Sequence, residues 1–406
     1  MTKKILLIII CFGLFCCTSP KKKNLKEGSW RATLDVMDGA QLPFNFDLSA
    51  VEGGYTLRVF NADEEVFIDD VELKSDSIII RMPVFEGYIA GTFSEESITG
   101  NFIKESLDRV VPFKATFGEA PRFKVGTEAK TNISGIWQTT FSADTEDMYI
   151  AKGIFTQRGN EVTGTFRTTT GDYRYLEGVV DGDSLSLSTF DGAHAFLFTG
   201  RVSDSSLVGT FYSGNHFKEP FVGTRNEHFE LPDENSLTFI KEGYEKFEFS
   251  CPDASGKEVS LSDPEFQNKV VVVQIMGTWC PNCLDESKFL VNYLEENKDS
   301  ELEVIALAFE YARTKEDAFK GIQRLRDRIG VEYPIVLAQY GTSNKTKANE
   351  KLPMLNHILS YPTTIFVDKK GAVRKIHTGF NGPATGEKYT EFKRDFTSFV
   401  EKLLAE

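Results

Sequence analysis

Cys280 and Cys283 stand two residues apart in Gly277-Thr278-Trp279-Cys280-Pro281-Asn282-Cys283, a spacing suited to thiol-disulfide exchange. The run 270–276 before them reads as a central strand covered on both faces, and a helix is expected to begin near Pro281. Cys280 then falls near the N-cap and Cys283 in the first turn. Unpaired amides and the helix dipole favour a thiolate there, lowering its pKa below the ordinary value of about 8.5. Cys280, the more exposed of the two, would attack a disulfide and form a mixed disulfide; Cys283 would then attack Cys280 and release the reduced product. A structural zinc site would need two more ligands, and His194, His216, His228, His357 and His377 are scattered. A purely structural disulfide across so short a loop would restrain little of the unfolded chain. The expected chemistry needs neither metal nor cofactor.

The elements around the pair alternate. Leu284, Leu290, Val291 and Leu294 mark the apolar side of the first helix, and 302–309 reads as a second buried strand. Thr314 and Asp317 cap a helix lined by Phe319, Ile322, Leu325 and Ile329 and stopped by Gly330. Strands are expected at 333–337, 363–368 and 372–376, followed by a helix bearing Phe392, Phe396, Phe399 and Leu403. Such alternation makes residues 241–406 an α/β domain.

On these residues the segment resembles the thioredoxin-fold reductases of the TlpA/ResA type, which work on the outer side of bacterial membranes. The likeness runs through the strand, the Trp279-Cys280-Pro281-Asn282-Cys283 motif, Glu286, Tyr361-Pro362-Thr363-Thr364 and the turn from Asp368 to Gly371. The lead-in with Pro252-Asp253 and Gly256-Lys257 also matches. The resemblance implies a cis Pro362 lying against the dithiol, with the preceding backbone free to pair with an extended substrate. It implies that Glu286 tunes the cysteines and that Trp279 and Tyr361 border a substrate groove. For Glu286 the plainer alternative is an acid favoured in an early helical turn; for Trp279 it is core packing. Gln274 stands where cytoplasmic thioredoxins bury an Asp, so Glu286 or water must serve if a base is needed. Cys251 reads as a small buried hydrophobe. The stretches 353–357 and 377–380 are shared with Bacteroidetes-like members and have no assigned role.

The first half is built differently. From 28 to 225 short alternating strands are punctuated by Gly, Asp and Asn, and the pattern recurs: Gly28-Ser29-Trp30 with Gly135-Ile136-Trp137, and Ser97-Ile98-Thr99-Gly100 with Ser206-Leu207-Val208-Gly209. The whole is therefore expected to be multidomain: two all-β antiparallel meander repeats, 28–118 and 132–225, then a linker at 226–240 and a C-terminal α/β thioredoxin-like domain. Frequent Phe and Tyr suit a packed sheet interior, as do Trp30 and Trp137.

At the N-terminus, Lys3 and Lys4 precede an apolar run from 5 to 15, too short to span a bilayer. Leu14-Phe15-Cys16-Cys17 resembles a bacterial lipoprotein signal, which implies a signal over 1–17, a lipid on Cys17 and a tether over 18–27. The formal charge of −14 argues against a nucleic-acid partner. The expected protein is a lipid-anchored envelope oxidoreductase facing the periplasm, reducing protein disulfides with electrons from a membrane or soluble dithiol partner. Cytochrome c maturation is one candidate setting implied by the family. A peroxiredoxin-like peroxidase is disfavoured because Val273 and Gly277 stand where its Pro and Thr or Ser belong. A surface binding protein with an accessory redox domain is the reading of another class, with the β repeats as a mere spacer its plain counterpart.

Overall fold

A computed structural model describes residues 24–406; the expected export signal and Cys17 lie outside the described residues. The first nine strands, from Gly28–Asp35 to Arg109–Phe117, form an antiparallel meander in which the first strand pairs with the last. The sheet curls until Gly54 lies against the Val71 carbonyl. Its two edge strands, Glu64–Ile68 and Asp70–Lys74, are consecutive in the chain, so the curled sheet carries a seam at Asp69.

The second sheet closes completely. Eight strands, beginning with Gly135–Phe141 and ending with Phe217–Arg225, pair around a ring in which every strand has two antiparallel neighbours. Alternation aims one face inward, and the interior is filled by Phe141, Phe166, Phe198 and Phe221, all fully buried. Phe198 and Phe211 stack with ring centres 4.6 Å apart. The barrel is thus a packed aromatic core. One of its hairpins continues past the wall, with Arg167 opposite Asp172 and Thr168 opposite Gly171.

The two sheets pack side by side. Phe190 of the second stacks on Phe44 of the first at 4.4 Å, and the Asn61 side chain donates to the Phe190 carbonyl at 2.9 Å while accepting from its N–H at 3.1 Å.

The C-terminal domain is a five-stranded sheet in the order Ile335–Gln339, Leu302–Phe309, Val270–Met276, Thr363–Val367, Val373–Thr378. The first three strands are parallel, Thr363–Val367 runs antiparallel to them, and Val373–Thr378, antiparallel to Thr363–Val367, runs in the direction of the first three again. Every residue of Val270–Met276 is buried, as a central strand requires. Helix Lys315–Ile329 begins at Thr314, whose side chain accepts from the Asp317 N–H, and ends at Gly330 with φ 70°. The third strand starts at Ile335 rather than 333 because Pro334 has no N–H to give the ladder. A short helix, Lys345–Lys351, was not expected; only Ala348 in it is buried, so it carries no apolar stripe to read.

Residues 226–240 are pinned rather than loose. The Thr378 N–H donates to the Glu234 carbonyl at 2.9 Å, and Asn356 brackets the segment by donating to the Leu237 carbonyl and accepting from the Phe239 N–H. His357 Nε2 also lies 3.0 Å from the Leu237 carbonyl. The stretches around 356 and 378 thus hold the interdomain segment against the α/β sheet.

Candidate active site

The central strand ends at Met276, and Pro281–Glu296 opens as a helix with Cys280 at its N-cap. Pro281 suits the first helical position, where no N–H is needed. Cys280 Sγ accepts from the Cys283 N–H at 3.4 Å, taking up one of the helix's free donors. Both cysteines are free thiols, Cys283 fully buried and Cys280 only 8% exposed. Burial pushes the Cys283 thiol well above its ordinary pKa, with Cys280 and the Glu286 charge adding to the rise. Cys280 is the more open of the pair, as expected.

Beneath the pair lies a buried polar chain. Gln274 reaches from the central strand, its Nε2 donating to Glu286 at 2.7 Å and lying 3.4 Å from the Cys283 carbonyl. Ser287 donates to the other end of the Gln274 amide at 3.2 Å. Thr364 donates to the second Glu286 oxygen. Burial pushes Glu286 up to about 7, against the pull of the two hydrogen bonds. Gln274 therefore aims the acid that the sequence left without a partner.

The Tyr361–Pro362 bond is cis, and the Tyr361 carbonyl lies 3.4 Å from Cys280 Sγ. Trp279 donates from its indole to the Phe309 carbonyl at 2.9 Å, and its ring meets Tyr361 edge-on at 5.5 Å and Tyr311 at 5.6 Å. Glu310, at the end of the neighbouring strand, accepts from the Thr278 N–H and hydroxyl, both at 2.8 Å, and is itself pushed up to about 7 by burial.

The closed barrel packs against residues that flank the dithiol. Its protruding hairpin lies on the dithiol face, where Asn282 donates to the Asp172 carbonyl at 3.2 Å and Ser360 donates to the Thr170 carbonyl at 2.6 Å. Asp172 accepts from the Gly382 N–H at 2.6 Å, and Arg167 donates to Asn381 at 2.9 Å. Beside this contact a single buried guanidinium, Arg174, meets Glu64 of the first sheet, Asp191 of the barrel and Asp285 of the redox helix. Asp172, Arg174, Asp285 and Glu310 escaped the sequence reading; only Glu310, at the carboxyl end of a parallel strand, sat where a signal existed.

Residues 242–391 match the Redoxin family. The thioredoxin-like protein YneN of Bacillus subtilis is 29% identical over 140 residues, covering 34% of this chain and 73% of that protein. Thiol-disulfide oxidoreductase ResA of Halalkalibacterium halodurans is 28% identical over 142 residues, covering 35% and 71%. Thiol:disulfide interchange protein DsbE of Allochromatium vinosum is 25% identical over 132 residues, covering 32% and 64%. A free Cys-Pro-Asn-Cys pair at a helix start, on a sheet of this order, joins these likenesses in one conclusion: the C-terminal domain is a thioredoxin-superfamily domain of the thiol-disulfide oxidoreductase kind.

Proposed function

We propose that Cys280 and Cys283 are the redox pair and that the chain reduces protein disulfides outside the cytoplasm. The observation that carries this is the buried chain from Gln274 to Glu286 beneath a free dithiol at a helix N-terminus. The Cys280 thiolate attacks one sulfur of a substrate disulfide and expels the other as a thiolate. Glu286, titrating near neutrality, takes the proton of Cys283. The Cys283 thiolate then attacks Cys280 Sγ, the mixed disulfide breaks, and the substrate leaves with both electrons. A membrane or soluble dithiol partner restores the pair. Tyr361 and Pro362 present the backbone edge for an extended substrate, and Trp279 walls it.

The export signal and a lipid on Cys17 hold the enzyme at the envelope; among the described residues no helix is long and apolar enough to cross a membrane. The two sheets represent one meander used twice. Supporting this, Gly91 pairs with Gly100 in the first as Gly200 pairs with Gly209 in the second, and Trp30 and Trp137 each donate to the carbonyl four residues back.

The purified protein is expected to reduce insulin disulfides, and a Cys280→Ser variant to lose that activity. Full activity in the variant sinks the assignment. A reduction potential below about −200 mV supports the reductase direction, whereas one near −120 mV reverses it.

A further inference from the structure

The hairpin meets Asn282 on one side of the dithiol, and Trp279 flanks Cys280 on the other. There, a hollow of about 490 Å³ lies where the first sheet, the barrel and the redox domain meet. Its walls include Phe196, Trp279, Tyr311 and His216, and its charge comes from Lys104 and Arg109. No carboxylate lines it. Lys104 is a buried lysine whose ammonium donates to the Ala193 carbonyl at 2.7 Å and makes no ion pair among the described residues. Arg109, half-buried, makes none either. Burial and the neighbouring Arg109 lower Lys104 to about 8 against the opposing pull of Asp191 and Glu86, so it remains charged at neutral pH. Burial first, then these two cations, pushes His216 down to about 4.

Asp191 and Glu86 act on Lys104 only from a distance, so two cations with no carboxylate in direct contact are costly to bury and favour something negative entering the hollow. The larger cleft, about 920 Å³ on the far side of the barrel, makes the contrast: there Lys152 and Arg167 are both matched to Glu230. The cationic hollow also reaches Ser343, two residues before Lys345, whose ammonium stands close enough to Cys280 for the charges to interact.

We propose that this hollow is a specificity site, selecting disulfides that carry a carboxylate and an aromatic or aliphatic body beside the S–S bond. It rests on the assignment of Cys280 as the attacking thiol. The carboxylate binds Lys104 and Arg109, the apolar body lies on Trp279, and the disulfide is presented to Cys280. The carboxylate has two sources, a small thiol acid or an acidic side chain flanking a cysteine in a polypeptide.

The test uses the reduced full-length protein and two aromatic disulfides, dianionic 5,5′-dithiobis(2-nitrobenzoate) and neutral 4,4′-dithiodipyridine. In each reaction Cys280 expels one aromatic thiolate, Cys283 displaces the second, and two electrons pass from the dithiol as its two protons go to solvent. Lys104→Met and, separately, Arg109→Gln are expected to slow the dianionic reagent by about tenfold while leaving the neutral one within about twofold. The effect is expected to persist at about 0.5 M salt, where charges more than a few ångströms apart are screened. Equal slowing of both reagents, no slowing, or loss of the effect in salt overturns the site. The dithiol assignment fails differently, by a Cys280→Ser variant consuming both reagents as fast as the parent. A parallel arm compares oxidised glutathione with cystine-bridged peptides carrying Glu or Lys beside the cysteine. Charge selection among the peptides alone identifies the polypeptide source, and efficient turnover of glutathione disulfide lost in Lys104→Met identifies the small acid.

Discussion

Glu286 couples the chemistry of the pair to folding. Its ordinary carboxyl value is 4.5 and burial raises it to about 7 in the folded protein. Between those values the folded state holds a proton that the unfolded chain has released. Stability therefore falls as pH rises through that window and stays lower above it, by about 3 kcal/mol for such a shift. Glu286→Gln removes the penalty without removing the contacts to Gln274 and Thr364. Urea unfolding is expected to show the variant more stable than the parent by up to about 3 kcal/mol at pH 8, with the gap closing near pH 4. A gap that does not change with pH would mean that Glu286 is not the titrating group. The same variant is expected to slow release of the mixed disulfide, because Cys283 then lacks its base. At this scale the sequence spoke well where function depends on neighbours in the chain: Cys280, Cys283 and Glu286 lie within seven residues on one helix. It was silent on the partnership of Gln274 with Glu286, since that hydrogen bond depends on how strand and helix pack.

The elements of the redox domain were legible because their signals are local. Thr314 and Gly330 bound one helix, and unbroken apolar runs mark the two central strands. The hairpin over the dithiol left no such mark: Thr169-Thr170-Gly171-Asp172 reads as an ordinary polar turn. Gly171 shows what it does. Its φ is +139°, and a Cβ there would stand 2.1 Å from the Asn282 amide nitrogen. Gly171→Ala therefore drives the hairpin and Asn282 apart while leaving the closed wall of the barrel untouched. Alkylation of Cys280 by iodoacetamide is expected to speed up by roughly threefold to tenfold, as exposure of the thiolate sets its reactivity. Unchanged alkylation would show that the hairpin does not restrict access.

Across the whole molecule, the β sheets and the redox domain are joined by contacts between residues more than a hundred positions apart, such as Arg174 with Asp285 and Asn282 with Asp172. Alternation along strands identifies sheets, but it carries no information about which outer surfaces meet. Removing the cation at the three-way junction leaves buried carboxylates unmatched. Arg174→Ala is expected to cost about 3–5 kcal/mol in urea unfolding. A loss below about 1 kcal/mol would mean that water already solvates those acids.

The seam at Asp69 bears on solubility. Glu64–Ile68 and Asp70–Lys74 are the free edges of the first sheet, with Phe67 exposed on one of them. Open edges invite strands from other copies, and charged side chains such as Glu65, Asp70 and Glu72 discourage it. Arg328 of the redox domain clamps Asp69 between the two edges and also donates to the Pro83 carbonyl at 3.1 Å. The redox domain thereby ties down the turn that joins the two unpaired edges, so a strand from another copy that paired there would have to approach past Arg328.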